Sequence, residues 1–445
     1  MLNVSMLYVS KGASGVSGHA SRRDFLKYAG GGIAAATIGG AVESVAQAAP
    51  ATVAAPPGGL QSQSGKLDVK LPEIHGKADP KSKEMKVEPP STRVGFAIVG
   101  LGHLTLEEIL PAFGRSKYAK PVALVSGDRA KALKVARQYG IAESAIYDYQ
   151  NYDDIRLNPE IEVVFIVLPN SLHREFTVRG AKAGKHILCE KPMATSSKDC
   201  RAMIAACKQA DRKLMIAYRQ QYEPMNRHIV KQVRENKLGK LHHFSASNIQ
   251  STGDPAQWRL DKELSGGGAL PDIGIYCLNA ARFLSGEEPS EVLATTYSTP
   301  GDARFVEVEE SVDFIVKFPS GFTASCTSGY SSHSSKFLRL TGSEGWARID
   351  PGFGYHGSRL SYGMLQDGRN AVVEPGVEDA DQFALEIDHM AHCVRNDIQP
   401  HTPGEEGLQD QLVMEAIYES ASKGKSIRMA QPVGPTRGPE PDDPG

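Results

Sequence analysis

The chain carries almost no net charge: its 445 residues include 50 Lys+Arg and 52 Asp+Glu, a formal −2. No global basic field therefore draws it to nucleic acid. Cysteine is scarce, at Cys189, Cys200, Cys207, Cys277, Cys326 and Cys393, and no C-x-x-C pair occurs. That excludes a disulfide scaffold and removes the usual zinc or thiol-redox spacing, so no metal site is expected. Cys200 and Cys207 fall seven apart in an expected helix, about 10.5 Å of rise, too far to bridge locally. Free buried thiols are the reading. Also absent is a run of about 20 strongly apolar residues, the length a membrane-spanning helix needs. What is present is a globular composition, 40% hydrophobic and 23% charged, over a length suited to two domains.

The first 48 residues read as an address. Ser21-Arg22-Arg23-Asp24-Phe25-Leu26-Lys27 leads into a mildly apolar stretch, Tyr28 to Val45, and then Ala46-Gln47-Ala48. A twin arginine, a glycine-softened apolar stretch and an Ala-x-Ala site are the parts of a twin-arginine export signal. The expectation is a periplasmic protein exported already folded by the twin-arginine machinery, with no stable membrane span after cleavage. Residues 49–92 hold Pro50, Pro56, Pro57, Pro72, Pro80, Pro89 and Pro90 and show little periodicity. Such a stretch serves as a flexible linker or as an arm that wraps another subunit.

A dinucleotide fold is expected from residue 93. Val94 to Val99 is a short apolar run, followed by Gly100-Leu101-Gly102 and a helical pattern from Leu104 through Phe113. Strand, glycine turn and helix in that order form the context of a Rossmann fingerprint. Gly100 would make the tight turn, and Gly102 would admit a pyrophosphate to the helix N-terminus. Thr105 stands where the third glycine is usual, which sets the helix slightly farther from the strand.

The second strand, Pro121 to Val125, ends in Ser126-Gly127-Asp128-Arg129. Enzymes selective for NAD usually place an acid at the end of this strand, against the ribose 2′-OH. Here Ser126 takes that place, with Arg129, Lys131 and Lys134 behind it. A small hydroxyl with cations suits a 2′-phosphate, so NADP is favoured; Asp128 keeps NAD as the weaker option. A later apolar strand, Val163 to Leu168, ends in Pro169-Asn170-Ser171-Leu172-His173, at the edge where ligands bind in such sheets. His173 is read as a helix-start histidine or a cofactor contact, with catalytic base the less favoured role. His186 to Cys189 then runs into Glu190-Lys191-Pro192.

With that tripeptide the chain resembles the glucose–fructose oxidoreductase, inositol dehydrogenase and MocA (Gfo/Idh/MocA) superfamily, and within it the glucose–fructose oxidoreductase subgroup. The likeness covers about residues 93–430. It runs through Ala97 to Gly102, Leu124 to Gly127, Leu168 to His173 and Cys189 to Ser196. It continues in Tyr222 to Asn226, Asp254 to Leu260, Gly266 to Gly268, Asp272 to Tyr276 and Arg304 to Glu309.

The resemblance implies an active site of Lys191, Asp272 and Tyr276. Lys191 would lie beside the reacting carbon, Tyr276 would act as acid/base at the substrate hydroxyl, and Asp272 would orient Tyr276 and polarise Lys191. Read as residues, a desolvated lysine can hydrogen-bond a substrate oxygen, and a tyrosine can carry a proton if a cation lowers its pKa. Asp272 and Tyr276, four apart, would share a face of a helix. Without the likeness, Asp272 reads as a helix cap and Tyr276 as a half-buried core residue.

Cofactor contacts are implied at Gly100, Gly102, His103, Leu104, Ser126, Gly127 and Lys131. Further ones are implied at Tyr149, Leu168, Pro169, Asn170, His173, Glu190 and Lys191, and at Arg219, Trp258 and Arg259. The chain departs from the family pattern at His103-Leu104-Thr105, where Lys-Tyr-Ala is usual, and at Gln220-Gln221, where Cys-His is usual.

From residue 221 the pattern turns β-rich, with strands expected at 241–249, 292–297, 311–318, 322–327, 336–341 and 346–349. Helices are expected at 383–395 and 410–422. The fold class is α/β: an N-terminal Rossmann dinucleotide-binding domain (93–220), then a C-terminal α+β domain (221–430) with an open, mostly antiparallel sheet. An exposed sheet face implies a homo-oligomer, dimer or tetramer. Residues 431–445 read as a disordered tail.

The function these features imply is a periplasmic NADP-dependent sugar oxidoreductase with tightly bound cofactor. It would oxidise glucose to gluconolactone and reduce fructose to sorbitol by ping-pong kinetics. Rivals are an aldose–aldose oxidoreductase, a simple sugar dehydrogenase, an NAD-using glycosidase and, from another class, a non-catalytic sugar-binding protein. Intact Lys191, Asp272 and Tyr276 argue against the last two.

Overall fold

The computed structural model describes residues 92–366 and 368–441. The expected export signal (1–48) and all of the expected proline-rich arm except Thr92 lie outside the described residues.

Six strands form a wholly parallel sheet: β1 (Val94–Val99), β2 (Ala119–Val125), β3 (Ile146–Tyr147), β4 (Val163–Ile166), β5 (His186–Glu190) and β6 (Leu214–Ala217). Their order is β3-β2-β1-β4-β5-β6, so the winding reverses between β1 and β4. That reversal opens a crevice at the carboxyl ends of the two central strands. Every residue of β1 and of β4 is buried, as continuous apolar runs covered on both faces should be.

The crossover elements are α1 (Leu110–Phe113), α2 (Arg129–Tyr139), α3 (His173–Lys182) and α4 (Ser197–Gln209). A π-helical turn, Thr105–Ile109, leads into α1. Asp128 caps α2 by accepting from Lys131 N at 2.9 Å, and Gly140 ends it in the left-handed conformation.

The second half begins with α5 (Pro224–Arg234), β7 (Leu241–Ser251), α6 (Lys262–Ser265) and α7 (Ile275–Ser285), the last entered through a π-helical turn at Leu270–Gly274. Then follow β8 (Glu291–Tyr297), β9 (Ser311–Lys317), β10 (Thr323–Gly329), β11 (Ser331–Gly342), β12 (Gly345–Ile349), β13 (Leu360–Gln366) and β14 (Arg369–Val373). Helices α8 (Gln382–Arg395) and α9 (Gly404–Lys423) precede the short β15 (Ile427–Arg428). The nine strands run in the order β14-β13-β12-β11-β7-β10-β9-β8-β15. All pairs are antiparallel except β7 with β10.

This sheet is covered on one face. On β9, Val312, Phe314 and Val316 are buried against the helices while Ile315 faces out. Strands β13 and β14 extend the sheet beyond the expected set. Gly363 interrupts the apolar alternation of the first, and the second is mostly exposed, so neither carries a strong period-2 signal.

The last helices tie the two halves together. Asp388 on α8 accepts from Ser116 Oγ at 2.6 Å and from the backbone N–H groups of Lys117 and Tyr118, both at 2.9 Å. Ile216 N donates to Thr402 O at 2.8 Å. The boundary near residue 220 therefore divides the chain but not the packing.

The expected disordered tail is corrected as far as residue 441. Gly438 N donates to His401 O at 2.9 Å, Arg437 reaches Glu406 at 3.4 Å, and Glu440 pairs with Arg227. Proline-rich composition hid this strap, because it is held by ion pairs rather than by a periodic apolar face. All six cysteines are free and buried. Among the described residues, no helix is long and apolar enough to cross a membrane.

Candidate active site

The glycine turn is built as the sequence implies. Gly100 has φ +97°, and a Cβ there would lie 2.2 Å from Val167 O, so no other residue fits between β1 and β4. Nothing lies within 4 Å of a Cβ placed at Gly102, which leaves the outer edge of the loop open to a ligand. Thr105, fully buried, donates its hydroxyl to Gly100 O at 2.7 Å. The missing third glycine is thus replaced by a side chain that ties the turn, and the backbone there winds as a wider π turn. His103 faces solvent beside Glu107, 3.1 Å away, and Leu104 packs against the core.

At the end of β2, Ser126 Oγ accepts from Asp128 N at 3.1 Å. One oxygen of the Asp128 carboxylate, Oδ1, is engaged in capping α2. Lys131 Nζ reaches over the glycine loop to Leu101 O at 3.5 Å. Tyr149 hydrogen-bonds the Gly127 backbone; burial, only partly opposed by that bond, pushes its pKa up to about 12. An open glycine edge, unpaired N–H groups at the helix start and a lysine beside them fit a nicotinamide dinucleotide.

His173 opens α3, as the helix-start reading expects. It is fully buried, with Nδ1 2.9 Å from Pro192 O and Nε2 2.8 Å from Leu168 O. A neutral ring can donate to only one carbonyl at a time, and burial lowers its pKa against the help of those carbonyls. It clamps the Leu168-Pro169 loop to the loop after β5 and presents no nitrogen to a ligand. Asn170 donates through its amide to Ser265 O at 2.8 Å.

Lys191 follows β5 and points across the crevice. Its Nζ donates to Asp272 O at 2.5 Å, lies 3.8 Å from Asp272 Oδ1, and sits 4.6 Å from the centroid of the Tyr276 ring. The three residues expected to act together are therefore brought together. The pairing inside the set differs from expectation. Asp272 and Tyr276 straddle the junction between the π turn and α7, and no hydrogen bond joins them. Asp272 caps no helix; Oδ1 accepts from Arg259 Nε at 3.1 Å and Oδ2 from the Tyr330 hydroxyl at 2.7 Å. Burial opposes its charge, but Arg259, Lys191 and Tyr330 outweigh that and lower its pKa.

Arg219 and Arg259, implied as cofactor contacts, also hold residues of the site in place. Arg219, 4% exposed, donates to Phe353 O at 2.8 Å and Gly354 O at 3.2 Å. Its guanidinium lies over the Tyr276 and Tyr355 rings at 4.8 and 4.6 Å. It holds the loop at Phe353 and Gly354 and lies against the Tyr276 ring. Arg259 serves Asp272 and stacks on Trp258 at 4.6 Å.

Glu190 is buried beside Lys191. Desolvation pushes its pKa up to about 7, against the pull of Lys191 and Arg219. Behind it Glu386 of α8 is fully buried, with no hydrogen-bond partner on either oxygen. Burial and the Glu190 charge raise its pKa well above the usual carboxylate range.

Several residues were not anticipated. Tyr330 and Glu386 carry no local signal, because each reaches the site from a distant element. Glu309 lies in a stretch that bore the family likeness. Its carboxylate accepts from Gly268 N and Leu270 N, both at 2.9 Å, and so shapes the turn that carries Asp272. A Cβ on Gly268 would meet Glu309 O at 2.0 Å. A shallow depression lined by Leu293, Ile315, Thr327 and Phe337 lies on the opposite, outer face of the large sheet and has no part in this site.

Comparison with known proteins agrees with the fold. Residues 94–218 match the model of an oxidoreductase family with an NAD-binding Rossmann fold, and residues 226–348 match the GFO/IDH/MocA C-terminal domain. A D-xylose 1-dehydrogenase [NADP(+)] of Haloarcula marismortui is 35% identical over 341 residues, 76% of this chain and 93% of that one. The crystal structure of an aldose–aldose oxidoreductase from Caulobacter crescentus, complexed with glycerol, is 43% identical. It superposes with a TM-score of 0.73 over 76% of this chain and all of that one. A levoglucosan dehydrogenase in complex with NADH and levoglucosan, 24% identical with a TM-score of 0.68, shares the fold. With both domains matched and relatives this close across most of its length, the chain belongs to the Gfo/Idh/MocA oxidoreductase family.

Proposed function

We propose that the protein is an NADP-dependent sugar oxidoreductase in which two sugars alternate at one site. The observation that carries the reading is the Lys191 ammonium, held against Asp272 and over the Tyr276 ring at the carboxyl edge of β5. Relatives named as sugar dehydrogenases and oxidoreductases supply the substrate class. NADP over NAD is supported by Asp128 being engaged as a helix cap, by Ser126 and Lys131 at the strand end, and by the NADP(+) dehydrogenases among the relatives.

Gly100, Gly102, Ser126 and Lys131 would hold the dinucleotide, which when bound supplies the hydride acceptor and donor of the reaction. The protein's own residues manage the substrate oxygen. Lys191 donates to that oxygen and stabilises negative charge on it. Tyr276, braced between Lys191 and Arg219, takes the hydroxyl proton when the sugar is oxidised and returns one when the next sugar is reduced. Asp272 keeps Lys191 charged and placed. Glu190 beside the lysine, its pKa pushed up to about 7 by burial, is in position to take up part of the proton load.

The donor in this reading is an aldose such as glucose, leaving as its lactone before the second sugar enters. The acceptor is fructose on the glucose–fructose likeness. An aldose acceptor is the second reading, favoured by the 43% identical aldose–aldose oxidoreductase. Twin-arginine export to the periplasm belongs to the same proposal. Outside the cytoplasm no nicotinamide pool refreshes an enzyme, so a tightly held cofactor and a closed two-sugar cycle suit that location. A second copy of the chain would pack on the outer sheet face, where Leu293 and Ile315 are exposed.

The test is the absorbance at about 340 nm of the purified protein, with no cofactor added. A signal that rises with glucose and falls with fructose establishes the cycle and its acceptor. A fall with a second aldose but not with fructose establishes the aldose–aldose reading. A response only when cofactor is supplied in solution overturns the closed cycle in favour of an ordinary dehydrogenase.

A further inference from the structure

The inner face of the large sheet is apolar along most of its length: Phe244 and Ala246 on β7, Ala324 and Cys326 on β10, and Leu338 and Leu340 on β11 are all buried. Toward Lys191 the same registers turn polar. A polar side chain on a covered face is unfavourable unless something engages it. Three of these side chains are explained by the turn they position. Asn248 donates to Ile273 O at 3.0 Å, Ser328 to Ala269 O at 3.3 Å, and Tyr330 to Asp272.

Two side chains are left over. Lys336 on β11 is in register with Asn248, so it shares the inner face. Its ammonium donates to Gln250 Oε1 on β7 at 3.1 Å and makes no ion pair among the described residues. Burial lowers its pKa; the Arg219 charge adds to that and Asp272 opposes it. The backbone at Lys336 is fixed as well, its carbonyl accepting from Gly352 N at 2.7 Å, at the foot of the loop that Arg219 holds. An ammonium with free donors beside an amide with free donors, both fixed on sheet strands, is a rigid receptor for hydroxyl groups, which accept and donate.

We propose that Lys336 and Gln250 form the subsite that recognises the substrate sugar through hydroxyl groups remote from the oxidised carbon. The pair sets which sugar is accepted and takes no part in proton or hydride transfer. This rests on the reading of the protein as a sugar oxidoreductase.

The experiment uses the full-length protein with NADP bound and a panel of glucose, xylose and singly deoxygenated glucoses. Lys336→Met should raise KM for glucose at least about 10-fold while kcat changes by less than about 3-fold, because a lost hydroxyl contact weakens binding rather than chemistry. Lys336→Gln, which keeps a donor, should recover part of the loss, and Gln250→Leu should reproduce it. One deoxyglucose should be a poor substrate for the wild type and suffer no further loss in Lys336→Met. Cofactor affinity and melting temperature should stay at wild-type values. An unchanged KM, a fall in kcat alone, or an equal loss across every deoxy sugar overturns the subsite. If the wild type neither binds nor oxidises any sugar, read as a change in bound-cofactor fluorescence and in absorbance, the sugar reading itself fails.

Discussion

The two sheets contribute to the site in different ways. At the parallel sheet the backbone acts: Gly100 makes the turn, Gly102 leaves an edge open, and N–H groups at the start of a helix face that edge. At the nine-stranded sheet the side chains act: Asn248, Ser328 and Tyr330 grip the turn that carries Asp272, and Lys336 pairs with Gln250 on the same inner face. A backbone site tolerates side-chain change as long as its glycines remain. A site assembled by side chains from separate strands can be retuned one residue at a time. Chemistry and cofactor grip should therefore be robust in the first sheet, and selectivity adjustable in the second.

The largest expected effect breaks the link between the two. Lys191→Met removes the one group that belongs to the first sheet and contacts Asp272 of the second. Turnover should fall at least about 100-fold, in line with the loss of an acid/base or oxyanion donor, while dinucleotide affinity stays within about 2-fold. Stopped-flow turnover and fluorescence titration separate the two numbers. A parallel loss of cofactor binding would mean that the lysine holds the dinucleotide rather than the substrate oxygen.

A smaller effect sharpens the role of the large sheet. Tyr330→Phe takes one donor from Asp272 and leaves Arg259 and Lys191 in place. The carboxylate should become easier to protonate, since Tyr330 is among the groups that lower its pKa. Turnover should fall about 10-fold at neutral pH, and the acid limb of the rate profile should move upward. A uniform fall at every pH would instead indicate a packing defect around the turn.

What was legible in the sequence follows the same division. Apolar runs, the glycine turn and Glu190-Lys191-Pro192 are contiguous, so the parallel sheet and its lysine could be read locally. Asp272 and Tyr276 were legible through the family likeness, but their partners were not. Tyr330 lies 58 residues beyond Asp272 in the chain and meets it only because β10 runs under the π turn. Glu386 reaches Glu190 from a helix that looks, in sequence, like ordinary domain closure. Arg219 was implied as a cofactor contact by the family likeness alone, and nothing local in the sequence signals that its donors also meet the carbonyls of Phe353 and Gly354 and the amide oxygen of Gln382. The strap at residues 431–441 was missed for a related reason: ion pairs across distant elements leave no periodic trace.

Glu386 tests the interior between the two sheets. Its folded-state pKa is raised, so the native protein keeps this proton where the unfolded chain has lost it. Native stability is then greatest below the unfolded carboxyl range and declines as pH rises through and above it. Glu386→Gln removes the titration. The variant should gain stability relative to wild type as pH goes from about 5 to about 8, seen as a widening gap in denaturation midpoints. A gap independent of pH would show that the carboxyl is ionised in the native state.

The smallest effect belongs to the glycine turn and asks whether the backbone site is as tolerant as the comparison requires. Thr105→Val keeps the shape of the side chain and removes only the hydroxyl that donates to Gly100 O at 2.7 Å. The loss of one buried hydrogen bond should lower stability by about 1 kcal/mol. Because Gly100 and Gly102 are untouched and the widened turn still sets the helix start, cofactor affinity should change by less than about 2-fold. Both quantities come from one thermal and one fluorescence titration. If affinity falls much further than stability, the hydroxyl is holding the loop in its binding shape, and the first sheet depends on a side chain just as the second does.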